Sequence, residues 1–524
     1  MDTDPETRPL GPTAKGGDLR PLPFPYVFAF LGSGSLLVLE IVAGRIIAPN
    51  VGVSLYTWTS VIGVVLAGLA VGNWLGDRIA DQRPGRTTLS ALYLGGAAGT
   101  ALILFFARDV DAFTAPASWS AILQVLWITG LMFFVPSVLL GMPTPMIVKL
   151  SLSSLDATGR VVGRIQAAAT AGSIAGVFLT GFALISWFGT RAIVAGVVVL
   201  LLLLAALSHP YLTDTSRVAA AVRRQPALGI VPAVVLIAAL GLAMSAESKC
   251  IKESNYFCID VGPDASGQNL ELRLDLLIHG IVNPQNPAEL IYPYERLYQQ
   301  VTEATFPKGK DITSFQIGGG TYSFPRYLAA QYDARSVVAE IDPEVTDVAR
   351  SHLGLRDSPE IEIQHEDARL ELNERPADER YDLVLGDAFN DIAVPYHLTT
   401  KEFNEKVADH LSPRGLYLIN VVDGKDYDFL RSFLDTLNKT FMNVGLMTVP
   451  GQPVQGERAT FVVLAANRDL PRLRTIAGLD RIRPFLDEKD TVELTDDHVP
   501  VDQLLAPVYG ESLEEHGSEA EGGQ

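Results

Sequence analysis

SFQIGGGTYSFPRYLAAQYDARSVVAEID, residues 314–342, contains an apolar run, three glycines, a helix-like segment and a second apolar run that ends in acids. This order is typical of a strand, a turn, a helix and a parallel strand, the unit that begins many nucleotide-binding folds. Glycines let the backbone approach a ligand closely, and the helix that follows presents its N-terminus to it. Glu340 stands 22 residues after Gly318, the spacing at which such folds place an acid on ribose hydroxyls.

Two more strand-like segments follow and also end in acids. In IEIQHEDARL the predicted strand ends near Asp367, and in YDLVLGDAFND the predicted strand ends at Asp387. LSPRGLYLINVV adds a further strand, and helix-like segments alternate with the strands, which predicts a parallel sheet covered on both faces. Ligands of such sheets bind outside the carboxyl ends of the strands. One acid at a strand end is usually a solvated carboxylate, but three beside a glycine-rich loop predict a nucleoside site.

The charge of the chain is divided unevenly. Among its 524 residues, 15 Lys and Arg stand against 11 Asp and Glu up to Met244, while the whole chain has a net charge of −19. The second half therefore carries all of the net acidity. An acidic domain repels nucleic acid, so we expect no nucleic-acid partner, and it suits a small cationic substrate. Solubility alone is an equally good explanation of this charge.

The first half is apolar, and its long runs predict membrane helices, which need about 20 residues each. A polar segment, residues 1–22, precedes them and does not have the pattern of a cleavable signal peptide. The lipid bilayer is thus an expected partner. The region 23–245 contains about seven candidate spans, at roughly 24–48, 56–76, 87–107, 119–147, 161–188, 190–208 and 227–245.

The loops between these runs carry basic residues on alternate sides. Because Lys and Arg concentrate on the cytoplasmic side, this bias places the N-terminus in the cytoplasm of a multi-pass membrane protein. Seven spans would then place the acidic half outside, although a nucleotide-like co-substrate is normally available inside. One span more or fewer reverses the outcome, so the side stays open.

The chain has only two cysteines, Cys250 and Cys258, which argues against a zinc site; we expect no metal. In a straight strand the two would lie about 26 Å apart, at ~3.3 Å per residue, so a disulfide needs a turn between them. Such a bond would suit an oxidising exterior. Two free thiols are the favoured expectation.

The order of IGGG, VAEIDPEV, EDARLEL, YDLVLGDAFND, VPYHLTTKEF and LSPRGLYLINV resembles that of the spermidine synthase family, in its form with an N-terminal membrane region. The resemblance implies a multi-span α-helical membrane region, then an α/β Rossmann-like (methyltransferase-type) domain with a small N-terminal β subdomain. The β subdomain would occupy 246–305 and the Rossmann-like domain 306–510. Residues 511–524 are polar and acidic, and we expect them to be disordered. Dimers or tetramers are common in this family, which makes a homo-oligomer an open expectation.

The resemblance also implies a reaction and a site. The family transfers an aminopropyl group from decarboxylated S-adenosylmethionine, a co-substrate and not a permanently bound cofactor, to a diamine such as putrescine. Asp387 would be the catalytic base. The predicted co-substrate site consists of Gly318, Gly319 and Gly320 along the nucleoside, Glu340 at its ribose, Asp367 at its adenine, and the neighbouring Asp342 and Ala368.

The chain departs from the family mostly on the amine side. Thr321 and Tyr322 follow the glycines, where the family has an acid that binds the diamine. Asn390 replaces the acid three residues after the base, with Asp391 next to it, and Tyr294 falls near the family's helix histidine. Tyr294, Thr321, Asn390 and Asp391 are therefore the predicted acceptor-binding residues. Phe257 stands at a family glutamine, and Arg326 would favour an anionic acceptor if it faced the pocket.

Three hypotheses follow. The first is a membrane-anchored aminopropyltransferase that makes spermidine or a related polyamine. The second keeps the fold but changes the reaction to that of a methyltransferase or another adenosyl-dependent transferase with a non-polyamine acceptor. The third is a non-enzymatic polyamine transporter or sensor, because residues 72–86 resemble the Gly-Asp-Arg loop of facilitator transporters and Glu40 and Arg45 interrupt the first span.

Overall fold

The computed structural model of the chain describes residues 22, 24–107, 119, 121–152, 158–209, 227–245, 250–388, 394–424, 426–449, 458–468, 480–482, 486, 490–506 and 508. The chain forms two compact units. One holds most of the long apolar helices, and the other holds residues 248–524.

Within the described residues, six helices are long and apolar enough to cross a membrane: Pro25–Val51, Leu55–Gln82, Arg86–Phe106, Ile122–Ser151, Thr158–Leu184 and Thr190–Ser208. The fourth combines α-helical Ala121–Thr129, Val135–Gly141 and Pro143–Ser151 with a π-helical turn, Gly130–Phe134. The fifth is α-helical over Thr158–Leu179, π-helical over Thr180–Leu184, and continues as Ile185–Trp187. The last predicted span forms the helix Ala227–Ser245, and the number of seven crossings stays a prediction.

Small residues and backbone-directed hydrogen bonds join the helices of the first unit. A Cβ at Gly72 would lie 2.2 Å from the carbonyl oxygen of Val138, so glycine is needed for this backbone approach. The Tyr93 hydroxyl donates to the carbonyl of Phe28 at 2.9 Å. The first helix contains Glu40, which is partly buried. These contacts are typical of closely packed apolar helices.

The second unit begins with a small antiparallel sheet in the order β1-β2-β3-β4. Its strands are β1 Lys252–Glu253, β2 Cys258–Pro263, β3 Leu270–Leu274 and β4 Leu277–Val282. Cys250 and Cys258 form a disulfide, with their Cα atoms 5.3 Å apart, so the expectation of free thiols was wrong. The reason is a tight turn: the backbone N–H of Ser254 donates to the carbonyl of Phe257 at 2.9 Å and reverses the chain between the cysteines.

A second sheet of eight strands follows, in the order β12-β10-β11-β9-β8-β5-β6-β7. Strands β5 to β9 are parallel, and β11, β10 and β12 are added by antiparallel pairing. The strands are β5 Asp311–Ile317, β6 Asp333–Ala339, β7 Ile361–Gln364, β8 Tyr381–Gly386, β9 Leu411–Asp423, β10 Asn443–Thr448, β11 Ala459–Ala466 and β12 Asp480–Arg481. The predicted α/β fold of Rossmann-like, methyltransferase type is confirmed.

Helices cover the larger sheet because their apolar faces match its buried strands. They are Pro293–Thr305, Ser323–Gln331, Pro343–His352, Ala368–Glu374, Lys401–His410, Asp428–Thr440 and Val501–Leu504, with a 3-10 turn at Tyr396–Leu398. Leu297 and Tyr298 of the helix Pro293–Thr305 share one core with Leu383 and Leu416 of the larger sheet. A second core joins the small sheet to the helix Pro343–His352.

The strand order reverses between β5 and β8. From β5 the chain passes outward through β6 and β7, then returns to β8 on the other side of β5 and continues to β9. The loops after β5 and β8 therefore diverge and leave a crevice at their carboxyl ends. Such a switch point is where open α/β sheets bind ligands.

Candidate active site

A cavity of about 350 Å³ lies at the carboxyl ends of the parallel strands, within the second unit. Its volume is in the range of small-molecule sites, which are about 300–1,000 Å³. Most of the residues predicted from the sequence line it: Tyr294, Gly318, Gly319, Gly320, Thr321, Glu340, Asp367, Ala368 and Asp387. Asn390 and Asp391 lie outside the described residues.

The glycine loop starts where β5 meets the ends of two neighbouring strands. The Gly318 N–H donates to the carbonyl of Ala339 at 2.9 Å, and the Asp387 N–H donates to Ile317 at 3.0 Å. Gly318 has a φ of +96°, and a Cβ there would lie 2.4 Å from the Asp387 carbonyl oxygen. Only glycine combines this backbone angle with this close approach.

Glu340 connects the end of β6 to the glycine loop. Its Oε2 accepts a hydrogen bond from the Gly319 N–H at 2.8 Å, and its Oε1 accepts one from the Asp342 N–H at 2.9 Å. Burial raises the pKa of this carboxyl, and the backbone donors oppose the rise. The Gly320 N–H acts on the same carboxylate. A carboxylate has about four acceptor sites, so Glu340 retains capacity for the ribose contact predicted from its spacing.

Asp342 is not among the residues that line the cavity. It is 1% exposed and caps the helix Pro343–His352, with Oδ1 accepting from the Glu344 N–H at 3.0 Å. Its Oδ2 accepts from the Ser254 hydroxyl at 2.5 Å. The structure therefore places Asp342 at a helix cap, and its contact with the co-substrate stays a prediction.

Asp367 is held in its ionised form. Its Oδ1 accepts from the backbone N–H groups of Arg369 and Leu370, at 2.9 and 3.2 Å, and thereby caps the helix that begins at Ala368. Its Oδ2 lies 2.7 Å from His397 Nε2. Burial raises the pKa of Asp367, but the hydrogen bond and charge of His397 and the helix N–H groups outweigh it and leave the pKa below its usual value.

Both carboxylate oxygens of Asp387 accept hydrogen bonds, and the pKa of this carboxyl is raised. The Tyr294 hydroxyl donates to its Oδ2 at 2.5 Å, and Asn420 Nδ2 donates to its Oδ1 at 3.0 Å. Burial raises the pKa of Asp387 to about 6, against the lowering effect of these two donors. A carboxylate oriented in this way, with a pKa near neutrality, is suited to accept a proton from a bound substrate.

Of the residues after the glycines, Tyr322 and Arg326 are absent from the cavity lining, whereas Thr321 is part of it. Tyr322 is buried in a left-handed conformation, φ +56°, and its hydroxyl is 2.7 Å from Thr346 Oγ1. Arg326 donates to the carbonyls of Thr321, Tyr322 and Leu353, the last two at 3.0 and 2.9 Å. Arg326 is absent from the cavity lining, so it does not support an anionic acceptor, and it instead stabilises the turn.

Sequence reasoning missed several residues that line the cavity: Tyr256, His279, Glu295, His397 and Asn420. Burial lowers the pKa of His279 to about 4, so its ring is neutral at physiological pH. Glu295 and Thr302 are both buried and lie seven residues, or two helical turns, apart. They therefore lie on one line along the helix, at the edge of its buried face. A carboxylate at the edge of an apolar helix face is a signal that could have identified it.

No protein-family model matches the chain. A probable polyamine aminopropyl transferase of Bifidobacterium longum (strain NCC 2705) is 29% identical over 137 residues, which are 25% of this chain and 29% of that protein. A polyamine aminopropyltransferase of Vibrio vulnificus (strain CMCP6) is 31% identical over 150 residues, 28% of this chain and 49% of that protein. The chain thus spans less than half the length of either relative.

Among solved structures, a probable spermidine synthase from Corynebacterium glutamicum ATCC 13032 is similar to 46% of this chain, over 95% of its own length. The sequence identity is 21% and the TM-score 0.41.

The Gly318→Ala variant should lose adenosyl-ligand binding by more than about tenfold, because a methyl group would collide with the Asp387 carbonyl at an unfavourable φ. Titration calorimetry with S-adenosylmethionine and its decarboxylated form measures this. Gly262→Ala is the control, since a Cβ there meets no atom within 4 Å. Equal affinities for Gly318→Ala and the wild type would contradict the close approach of the two strand ends.

Reduction of the Cys250–Cys258 disulfide should weaken adenosyl-ligand binding severalfold. The bond closes the turn that carries Tyr256 and Phe257, both of which line the cavity. The same turn places the Ser254 hydroxyl on Asp342, the neighbour of Glu340. Titration with and without a dithiol reductant measures the effect, and the Cys250→Ser/Cys258→Ser double variant should have the weaker affinity in both conditions. Unchanged affinity after complete reduction would refute this role.

Proposed function

We propose that this protein is a membrane-anchored polyamine aminopropyltransferase, which transfers the aminopropyl group of decarboxylated S-adenosylmethionine to putrescine or a related amine. The observation that carries the proposal is the carboxylate of Asp387, oriented by Tyr294 and Asn420 in a cavity that Glu340 and Asp367 also line. The partial sequence likeness to two proteins named aminopropyltransferases supports it.

On the nucleoside side, the residues fit an adenosyl group. The glycine loop lets the backbone lie against the sugar, and Glu340 offers carboxylate oxygens to the ribose hydroxyls. Asp367 would accept a hydrogen bond from the amino group of adenine. The co-substrate supplies a sulfonium, which is a good leaving group when one of its carbons is attacked.

On the acceptor side, the chemistry requires a base. A protonated amine has no lone pair, so it must lose a proton before its nitrogen can attack. Asp387 takes that proton as nitrogen bonds to the aminopropyl carbon beside sulfur. The carbon–sulfur bond breaks with its electrons on sulfur, and the neutral thioether methylthioadenosine leaves. The electrons and charges balance without any further reactant.

The second hypothesis, an adenosyl-dependent transferase with another acceptor, keeps one specific support. Thr321 stands where the family has an amine-binding acid, and its Oγ1 is 2.8 Å from Ser323 Oγ. Preference for intact over decarboxylated S-adenosylmethionine in a binding titration would favour this reaction.

We propose a multi-pass location in the cell membrane. Six crossings return the chain to the side of its N-terminus. The basic residues of the loops favour the cytoplasm for that side, and the co-substrate is available there. A seventh crossing by Ala227–Ser245 would place the second unit outside, where a disulfide is stable. A C-terminal reporter that is active only in the cytoplasm decides between them: activity supports six crossings, and inactivity supports seven.

The turnover rate at saturating amine should rise with pH through about 6, because Asp387 must be deprotonated to act as the base. The Asp387→Asn variant should lower this rate by about 10²–10⁴-fold.

Because burial raises the folded-state pKa, the wild type should lose stability as pH increases through 6. Asp387→Asn should therefore have the higher unfolding temperature at pH 8.

The control is Asp378→Asn, an exposed residue outside the cavity, which should leave the rate unchanged. Aminopropyl transfer by Asp387→Asn at the wild-type rate would exclude Asp387 as the base. Absence of transfer by the wild type with any diamine would reject the proposed function itself.

A further inference from the structure

The cavity contains buried acceptor atoms that no group of the protein satisfies. Glu295 is 5% exposed and lines the cavity, yet its Oε2 has no hydrogen-bond partner in the described part of the chain. Asn420 is 8% exposed, and its Oδ1 is also without a partner there. An unpaired buried polar atom is destabilising and rare in folded proteins, so two in one cavity indicate that a ligand satisfies them.

Both atoms belong to the surroundings of Asp387. Asn420 uses its Nδ2 to donate to Asp387 at 3.0 Å, so its carbonyl oxygen is the part left over. Burial, followed by the charge of Asp387, raises the pKa of Glu295 to about 8, which indicates that the two carboxyl groups lie within electrostatic range. A cation bound beside Glu295 lowers this pKa, so Glu295 releases its proton and binds the cation as a carboxylate.

Arg326 does not compensate these oxygens by hydrogen bonding. Its guanidinium favours the charged form of Glu295 electrostatically. However, its guanidinium donates hydrogen bonds to the backbone carbonyls of Thr321, Tyr322 and Leu353. Glu295 Oε2 and Asn420 Oδ1 therefore remain acceptors without an N–H donor in the described part of the chain. A ligand group rich in N–H donors, such as an ammonium, is complementary to them.

We infer that Glu295 binds the ammonium group of the acceptor, together with Asn420 Oδ1 and the carboxylate of Asp387. A primary ammonium has three N–H donors, and this cluster offers three acceptor groups. The inference rests on the proposed function and makes it more specific: the acceptor is a primary amine. Glu295 thereby supplies an amine-binding carboxylate in a site where Thr321 has none.

The test uses the full-length protein in detergent and the variant Glu295→Gln, which keeps the shape of the side chain and removes its charge. The KM for putrescine should rise at least tenfold, while the affinity for decarboxylated S-adenosylmethionine stays within about twofold of wild type. Titration of putrescine into protein saturated with methylthioadenosine should show the same loss without any turnover. Glu295→Asp, which restores the carboxylate, should recover part of the affinity.

The matched control is Glu303→Gln, on the same helix. Glu303 accepts from the Tyr327 hydroxyl at 3.0 Å and is absent from the cavity lining, so its variant should bind putrescine normally. Wild-type transfer combined with an unchanged KM in Glu295→Gln would overturn this inference and leave the proposed function intact. Equal losses of amine and adenosyl affinity, with a lower unfolding temperature, would assign Glu295 a structural role and also overturn it. Amine binding that depends on Glu295 but leads to no transfer would support the inference and reject the proposed reaction.

Discussion

The site depends on the close approach of two strand ends that are neighbours in the sheet and distant in the sequence. Strands β5 and β8 lie side by side, and the backbone at Gly318 comes so near to Asp387 that no side chain fits between them. Because the chain leaves these strands towards opposite sides, the space above them is open to a ligand. The same contact thus shapes the glycine loop and delivers the carboxylate of Asp387 to the cavity.

The carboxylates of the cavity have different electrostatic environments. Asp367 lies at a helix N-terminus and beside His397, which keep it charged. Asp387 and Glu295 have no cationic hydrogen-bond partner among the contacts described above, and burial raises the pKa of each, to about 6 and about 8. One side of the cavity is therefore suited to steady hydrogen bonding, and the other to exchanging a proton. Environments that separate the pKa values of acids in one site are a common means of assigning them different roles.

The sequence predicted the larger sheet well because parallel buried strands are continuous apolar runs, and acids at their ends are brought together by topology alone. It did not identify Asp342 as a helix cap, although the order Asp342, Pro343 and Glu344 is a helix-start signature that could have been recognised. The disulfide was missed because it depends on a turn centred on Ser254, which spacing does not reveal. The helix pattern could have marked Glu295 as an edge position, but its burial depends on tertiary packing that the pattern does not contain.

The hydrogen bonds of Arg326 to the turn after the glycines affect which substitutions this turn tolerates. The Arg326 guanidinium donates hydrogen bonds to carbonyls of the turn after the glycines, and the Tyr322 side chain of this turn is buried. The main contacts that hold the turn are thus made by residues other than the one at position 321, whose hydroxyl adds a contact with Ser323 at 2.8 Å. The side chain at position 321 lines the cavity, whereas the contacts that fix the backbone of the turn lie outside the lining, so a substitution at 321 can change the cavity surface while the backbone of the turn persists.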